Sequence, residues 1–224
     1  NRITGMGAWI VAFLFLCLPV AWGQAEVGIL AVSEGIEGTD YTYVDNTYTI
    51  LTEKALTFSG TTTDHIVVKE GVTANVTISN VSINVSTTLE IAAILLEKNA
   101  RLTLTLNGAN TLKSGKSMAG IQLMENSYLI VTAEDETHSL DVTGGNNTAD
   151  YGSAGAGIGG KQSDSYKATV EIMNGKINST GGTGGDLGKA GHGVGIGDNL
   201  VVLVKGGNIT ATGGNEPWRG TAGV

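Results

Sequence analysis

Seven residues in the C-terminal half of the chain have side chains suited to binding a sugar. Tyr151 and Trp218 each carry a flat aromatic ring with a polar edge, which fits the CH-rich face of a sugar. The other five carry carboxylate, guanidinium or imidazole groups that can hydrogen-bond hydroxyls. The seven candidate ligand-binding residues are Asp150, Tyr151, Asp186, His192, Glu216, Trp218 and Arg219. They predict a glycan-binding surface; the alternative is that the two aromatic rings only pack over glycines at the edge of the fold.

These residues belong to three segments that share one motif. Each segment begins with Thr-Gly-Gly, continues through a variable loop and closes with a Gly-x-Gly-(Ile/Val) pattern, in which Thr replaces the first Gly in the third segment. The loops are residues 146–153, 183–192 and 215–219, and these ranges do not include the glycines on either side. Insertions at one register position of a repeat fold stack on one edge, which is often the binding face. We therefore expect the three loops to be neighbours.

The chain lacks a pattern typical of an active site. A glycoside hydrolase needs paired acids on neighbouring strands, whereas Glu134, Asp135 and Glu136 belong to a single turn. The three histidines stand at different positions of the repeat described below, so no catalytic triad is indicated. We expect a non-catalytic protein, with a polysaccharide lyase or a glycoside hydrolase as the alternative.

Neither a nucleotide nor a metal ion is expected as a cofactor. The glycines before Lys161 lack the spacing of a phosphate-binding loop, and no helix is predicted after them. Acidic residues near turns supply the oxygen ligands that Ca²⁺ prefers, but the sequence contains no D-x-D-x-D-G string. Ca²⁺ is the only cofactor left open, and solvated turn acids are the preferred interpretation.

The charge of the chain argues against nucleic acid as a partner. Its 13 basic and 21 acidic residues give a net charge of −8, whereas nucleic-acid binding requires basic residues that neutralise phosphates. The expected partner is a polysaccharide or a surface glycan, and association with the cell envelope is a further expectation. The oligomeric state is left open.

The first 23 residues have the pattern of a secretory signal peptide. Arg2 precedes an uninterrupted apolar run at residues 8–18, and a small-x-small site follows at residues 21–23. The run is too short to span a bilayer, which takes about 20 residues. Cys17, the sole cysteine, lies within the run, so a mature chain would have no disulfide. We expect a protein that is secreted or displayed at the cell surface.

The composition and an internal repeat indicate the fold class. The chain has 34 glycines, 2 prolines and 15% charged residues, which disfavours a helical bundle and a disordered chain. Aliphatic residues recur in one register at Ile66, Ile94, Ile121, Ile158, Ile196 and Val224. The steps of 27–38 residues between them are typical of a solenoid.

Each repeat contains three short strand signals separated by turns. In residues 101–107 leucines alternate with threonines, which places the leucines on the buried side of a strand. Asn80, Asn107 and Asn174 stand at turns, where Asn tolerates the left-handed conformation and bonds neighbouring backbone. The pattern predicts an all-β fold, a parallel β-helix with three-stranded coils of about 27–38 residues; the alternative is a β-sandwich.

The predicted organisation has three parts. Residues 1–23 are the signal peptide, residues 24–47 a linker or N-terminal cap, and residues 48–224 the repeat domain. Because a further repeat begins just before Val224, we expect the domain to be incomplete at its C-terminus.

Two stretches carry a family resemblance: YTYVDNTYTILTEKALTFSGTTTDHIVVKEGVTANVTISNVSI, which begins at Tyr41, and the repeated AGIGG…GGxITATGG units. From about Tyr41 to Val224 the chain resembles the Gly-rich, secreted, right-handed parallel β-helix proteins of bacterial cell surfaces, of the adhesin-like or carbohydrate-binding type. The resemblance implies a right-handed coil and a role in adhesion or glycan binding, and it transfers no catalytic residue. A structural spacer that holds a further C-terminal module is the third hypothesis for function.

Overall fold

A computed structural model describes residues 28–88, 90–149, 152–160, 167–185, 193–197 and 199–214. Within these residues the fold is all-β, with 18 strands and no helix, and most strand pairs are parallel. No helix in this part of the chain is long and apolar enough to cross a membrane.

Four strands form the N-terminal end of the fold: β1 (Ala31–Ser33), β2 (Tyr41–Val44), β3 (Thr47–Ile50) and β4 (Ala55–Thr62). β1 pairs antiparallel with β4, and β2 pairs antiparallel with β3. Asp45 and Asn46 connect β2 to β3 with φ of 50° and 60°. Both residue types accept this left-handed backbone, which the tight hairpin turn requires.

The strands that follow form three rows, which recur in the same order along the chain. Row one contains β5 (His65–Val68), β7 (Ile94–Leu96), β10 (Ile121–Leu123), β13 (Ile158–Gly159) and β16 (Ile196–Gly197). Row two contains the first part of β6 (Thr73–Asn84), then β8 (Arg101–Asn107), β11 (Tyr128–Ala133), β14 (Ala168–Ile172) and β17 (Leu200–Val204). Row three contains the second part of β6, then β9 (Ala109–Lys113), β12 (Ser139–Thr143), β15 (Lys176–Thr180) and β18 (Asn208–Thr212). One strand from each row, taken in chain order, makes one repeat.

Neighbouring repeats pair in parallel within each row. The row-one pairs join Ile66, Ile94, Ile121, Ile158 and Ile196 in this order. These are predicted anchor positions, so the predicted register is confirmed for them; Val224 lies outside the described residues. Row one joins β2 and β3 in a seven-stranded sheet, and rows two and three meet through β6 in an eleven-stranded sheet that also includes β1 and β4.

The core is a column of aliphatic side chains that point inward from the strands. Leu102, Leu104 and Leu106 are at most 2% exposed, whereas Thr103 and Thr105 between them are partly exposed. This alternation confirms the prediction for residues 101–107. Each repeat covers the core of the previous one, so the apolar column is continuous.

Aromatic rings cover the N-terminal end of this column. The ring centroids of Tyr43 and Tyr48 are 4.5 Å apart, and Phe58 meets Tyr48 edge-on at 5.5 Å. The Tyr48 hydroxyl donates to the carbonyl oxygen of Leu30 at 3.2 Å. Burial raises the pKa of Tyr48 to about 12, so the phenol stays neutral and suits this largely apolar position.

Left-handed residues occur at the corner between rows two and three. Asn80 has φ of 53°, whereas Asn107 and Asn174, which were also predicted at turns, do not adopt the left-handed conformation. There the following residues, Gly108 and Gly175, adopt φ of 69° and 105°, because glycine has no Cβ to oppose that conformation. Asn174 contributes through its side chain instead, since its Nδ2 donates to a carbonyl oxygen of the previous repeat at 3.0 Å.

A second series of left-handed residues lies at the corner between rows one and two. Asn99, Asn126 and Asn199 have φ of 59°, 57° and 61°. Gly71 stands at the equivalent corner of the first repeat with φ of 73°. This series was not predicted, although Asn99 and Asn126 are one repeat apart and each stands two residues before a strand.

Candidate functional site

The candidate ligand-binding residues are not among those that the structure describes. Asp150, Tyr151, Asp186, His192, Glu216, Trp218 and Arg219 all lie outside the described residues. The structure does describe the ends of the first two loops that carry four of them. These ends show how the loops are attached to the repeats.

The first two loops lie directly against each other. The backbone N–H of Asn147 donates to the carbonyl oxygen of Thr183 at 2.9 Å, and that of Gly185 donates to Gly152 at 3.2 Å. In the opposite direction, the Thr183 N–H donates to Asn146 Oδ1 at 2.8 Å. The predicted stacking is therefore confirmed for the described parts of these two loops, whereas the third loop lies outside the described residues.

A turn of the preceding repeat, residues 114–119, lies beneath the first loop. Asn147 Nδ2 donates to Ser117 Oγ at 2.7 Å, and the Gly145 N–H donates to the carbonyl oxygen of Met118 at 2.8 Å. Ser117 has φ of 65°, an uncommon conformation for serine. Three successive repeats thus contribute to one edge, which we call the loop edge (residues 114–119, 144–149, 152–155 and 181–185).

Close packing of the backbone explains the glycines of the loop edge. A Cβ on Gly145 would come much closer than 3.0 Å to the carbonyl oxygen of Gly115, and a Cβ on Gly182 would meet Gly145 in the same way. Neither Gly145 nor Gly182 has a positive φ. The Thr-Gly-Gly motif therefore serves to let neighbouring repeats approach each other, rather than to form left-handed turns.

The outward side of row two carries a polar network that the sequence analysis did not identify. The guanidinium carbon of Arg101 lies 4.6 Å from the ring centroid of Tyr128. The Tyr128 hydroxyl donates to Glu171, which also forms an ion pair with Lys205. The Lys205 ammonium, and next the Tyr128 hydroxyl, lower the pKa of the Glu171 carboxyl. We call this set of four residues the row-two network.

The row-two network connects four repeats rather than forming a catalytic pair. Arg101 and Tyr128 are direct register partners, but Glu171 pairs with Ile130 and not with Tyr128. The network therefore runs diagonally across the strands, and sequence register alone does not reveal it. Glu171 is only 7% exposed, since its carboxylate is covered by the groups that bind it. The four side chains interact with one another, which suits a role in bracing the repeats.

A hydroxyl–imidazole pair lies near the N-terminal end of the fold. His65 Nε2 is 2.8 Å from Thr47 Oγ1, and burial lowers the pKa of His65, which favours neutral imidazole. The adjacent carboxylate, Asp64, accepts a hydrogen bond from the Tyr43 hydroxyl at 2.8 Å instead of orienting the imidazole. His65 Nδ1 is buried, and the nearby backbone of Ala92 opposes the lowering of the pKa of this imidazole. Among the described residues no carboxylate bonds this imidazole as the third member of a catalytic triad would.

The described residues contain no group of three or more His, Cys, Asp or Glu side chains placed to hold a metal ion. Comparison of the chain with protein-family models, with curated proteins and with solved structures finds no match.

Proposed function

We propose that this chain is a right-handed parallel β-helix, secreted or displayed at the cell surface, that binds a polysaccharide or a surface glycan without catalysis. The three rows of parallel strands support the β-helix, and the pattern of residues 1–23 supports secretion. The observation that carries the binding function is the stacking of the first two loops at the loop edge.

The physical argument concerns rigidity. The loop ends are held by backbone hydrogen bonds between repeats, and glycine allows these repeats to come close. Stable loop ends reduce the conformational entropy that a ligand must overcome on binding. The candidate residues Tyr151 and Asp186 lie within the first two loops of the sequence, and aromatic and carboxylate groups are suited to sugar rings and hydroxyls.

The test is a glycan array probed with the chain and with the double variant Tyr151→Ala, Trp218→Ala. We expect the affinity of the variant to be lower by at least about tenfold. Each substitution removes one aromatic ring, and stacking on one ring contributes about 1 kcal/mol. Asp135→Ala with Thr137→Ala is the matched control, since both residues are exposed and belong to the turn between β11 and β12. Equal binding by the chain and the Tyr151/Trp218 variant would show that the loops do not form the site.

A further inference from the structure

Two of the columns on the outward side of row three consist entirely of polar side chains, and we call these two the row-three columns. The strands of this row pair in parallel without a register shift from the second part of β6 through β18. The first column consists of Thr61, Ser82, Thr111, Asp141, Asn178 and Thr210. The second column consists of Asn84, Lys113, Thr143, Thr180 and Thr212.

These side chains point away from the core. Ile83, Leu112 and Val142 alternate with them along the strands and are at most 1% exposed. All members of the two columns are partly or fully exposed. Every member of the two columns therefore offers a hydroxyl, an amide, a carboxylate or an ammonium group. A flanking outward column, which consists of Ala109, Ser139, Lys176 and Asn208, includes one apolar residue and lies outside this set.

Most of this hydrogen-bonding capacity is unused within the protein. Asn178 Nδ2 donates to Asp141 Oδ1 at 2.6 Å, and Asn84 Oδ1 accepts from Ser86. Among the described residues, the hydroxyls of Thr111, Thr143 and Thr180 have no protein hydrogen-bond partner. The row-two network differs in this respect, since its charged groups are already bound to one another.

The spacing of the columns indicates the shape of a ligand. Parallel strands lie about 4.8 Å apart, which is close to the length that one sugar adds to an extended β-linked glycan. A chain lying across the strands of row three would thus place one sugar near each repeat. The columns contain one carboxylate, Asp141, and one ammonium, Lys113, so their net charge of zero matches an uncharged ligand.

We propose that the row-three columns form a binding surface for one extended, uncharged β-linked glycan chain, with about one sugar per repeat. The hydroxyls and amides donate to and accept from the sugar hydroxyls. Three members of the second column, Thr143, Thr180 and Thr212, are the last residues of their strands. Each directly precedes a Gly-Gly pair of the loop motif. The columns therefore border the loop edge but are a separate surface. The inference shares the ligand class of the proposed function and does not depend on the loop residues.

The experiment measures binding of uncharged β-1,4-linked oligosaccharides of two to six sugars to the full chain by calorimetry. We expect the affinity to rise with each added sugar until the oligosaccharide spans the repeats. The triple variant Thr111→Ala, Thr143→Ala, Thr180→Ala should weaken binding by at least about tenfold, since it removes three hydrogen-bonding hydroxyls. Thr77→Ala, Thr105→Ala, Thr132→Ala is the matched control, because these threonines stack in the same way on the outward side of row two. Circular dichroism establishes that both triple variants are folded.

The outcomes separate this inference from the proposed function. Loss of binding in the row-three variant with retention in the Tyr151/Trp218 variant supports the row-three columns. Loss only in the Tyr151/Trp218 variant overturns them and leaves the loop edge as the site. If the unaltered chain binds no uncharged oligosaccharide but binds another glycan on the array, the row-three inference fails and the proposed function stands. If the chain binds no glycan but changes the shape of growing ice crystals, the columns bind ice. That result would overturn both the row-three inference and the proposed function.

Discussion

At the scale of single residues, Glu171 holds the row-two network together. Its carboxylate accepts from Tyr128 and pairs with Lys205, so it connects β11 to the end of β17. Both partners favour the ionised carboxylate and lower the pKa of Glu171 from its ordinary value of 4.5. A lowered pKa in the folded chain means that the ionised group stabilises the fold above pH 4.5, and that this contribution is lost as the pH falls below that value.

The variant Glu171→Gln tests this pH dependence. At pH 7 we expect its melting temperature to be lower by a few degrees at most, because ion pairs with an exposed partner contribute little. Near pH 3 the difference should shrink, since the carboxylate of the unaltered chain is then increasingly protonated. Thermal melts at pH 7 and near pH 3 measure the difference in melting temperature at each pH. Glu136→Gln, in an exposed turn, is the control. An equal difference at pH 7 and pH 3 would contradict a role for the charge of Glu171.

At the scale of elements, contact between backbones limits which residues the loop edge accepts. Gly145 lies between the turn of residues 114–119 and the second loop, and a Cβ there would overlap a carbonyl oxygen. Backbone atoms cannot rotate away as the end of a flexible side chain can. The stacking of repeats at this edge therefore depends on glycine for space.

The variant Gly145→Ala tests this dependence. We expect its free energy of unfolding to fall by about 1–3 kcal/mol, because the added methyl group forces the backbones apart. Gly28→Ala is the matched control, since a Cβ at Gly28 would meet no atom within 4 Å. Denaturant titration followed by circular dichroism measures both values. Similar stability for the two variants would mean that the edge has room for a side chain.

At the scale of the whole molecule, the inward side chains of the described repeats are not equally buried. In the middle of the stack Leu104 and Val131 are fully buried. In β17 the inward residues Val202 and Val204 are 40% and 59% exposed. Since the repeats of this sheet are stabilised chiefly by their neighbours in register, local stability should fall from the central repeats toward β17 and β18.

Hydrogen exchange followed by mass spectrometry measures this gradient. We expect the amides of β8 and β11 to exchange most slowly, because their strands are paired on both sides and cover a buried core. The amides of β17 and β18 should exchange faster, since in the described residues each of these strands pairs with one neighbour only. Protection in β17 equal to that in β8 would show that the stack unfolds as one cooperative unit.

The sequence predicted those features of the fold that depend on periodicity. The anchors from Ile66 to Ile196 recur from repeat to repeat, and the leucines of residues 101–107 recur at every second position. Both patterns are visible in the sequence before it is known which strands pair. The turns were harder to predict, because either an Asn or the glycine after it can adopt the left-handed conformation. At residues 107–108 and 174–175 the glycine does so, since it has no Cβ to resist.

By itself the sequence determined the strand register, the inward residues and the positions where loops are inserted. Only the tertiary structure decided which side chains from different repeats meet. Tyr128 reaches Glu171 diagonally, although its register partner in β14 is Thr169. The physical reason is that periodicity along one strand specifies which face a residue occupies, whereas neighbours across strands depend on how the intervening loops close.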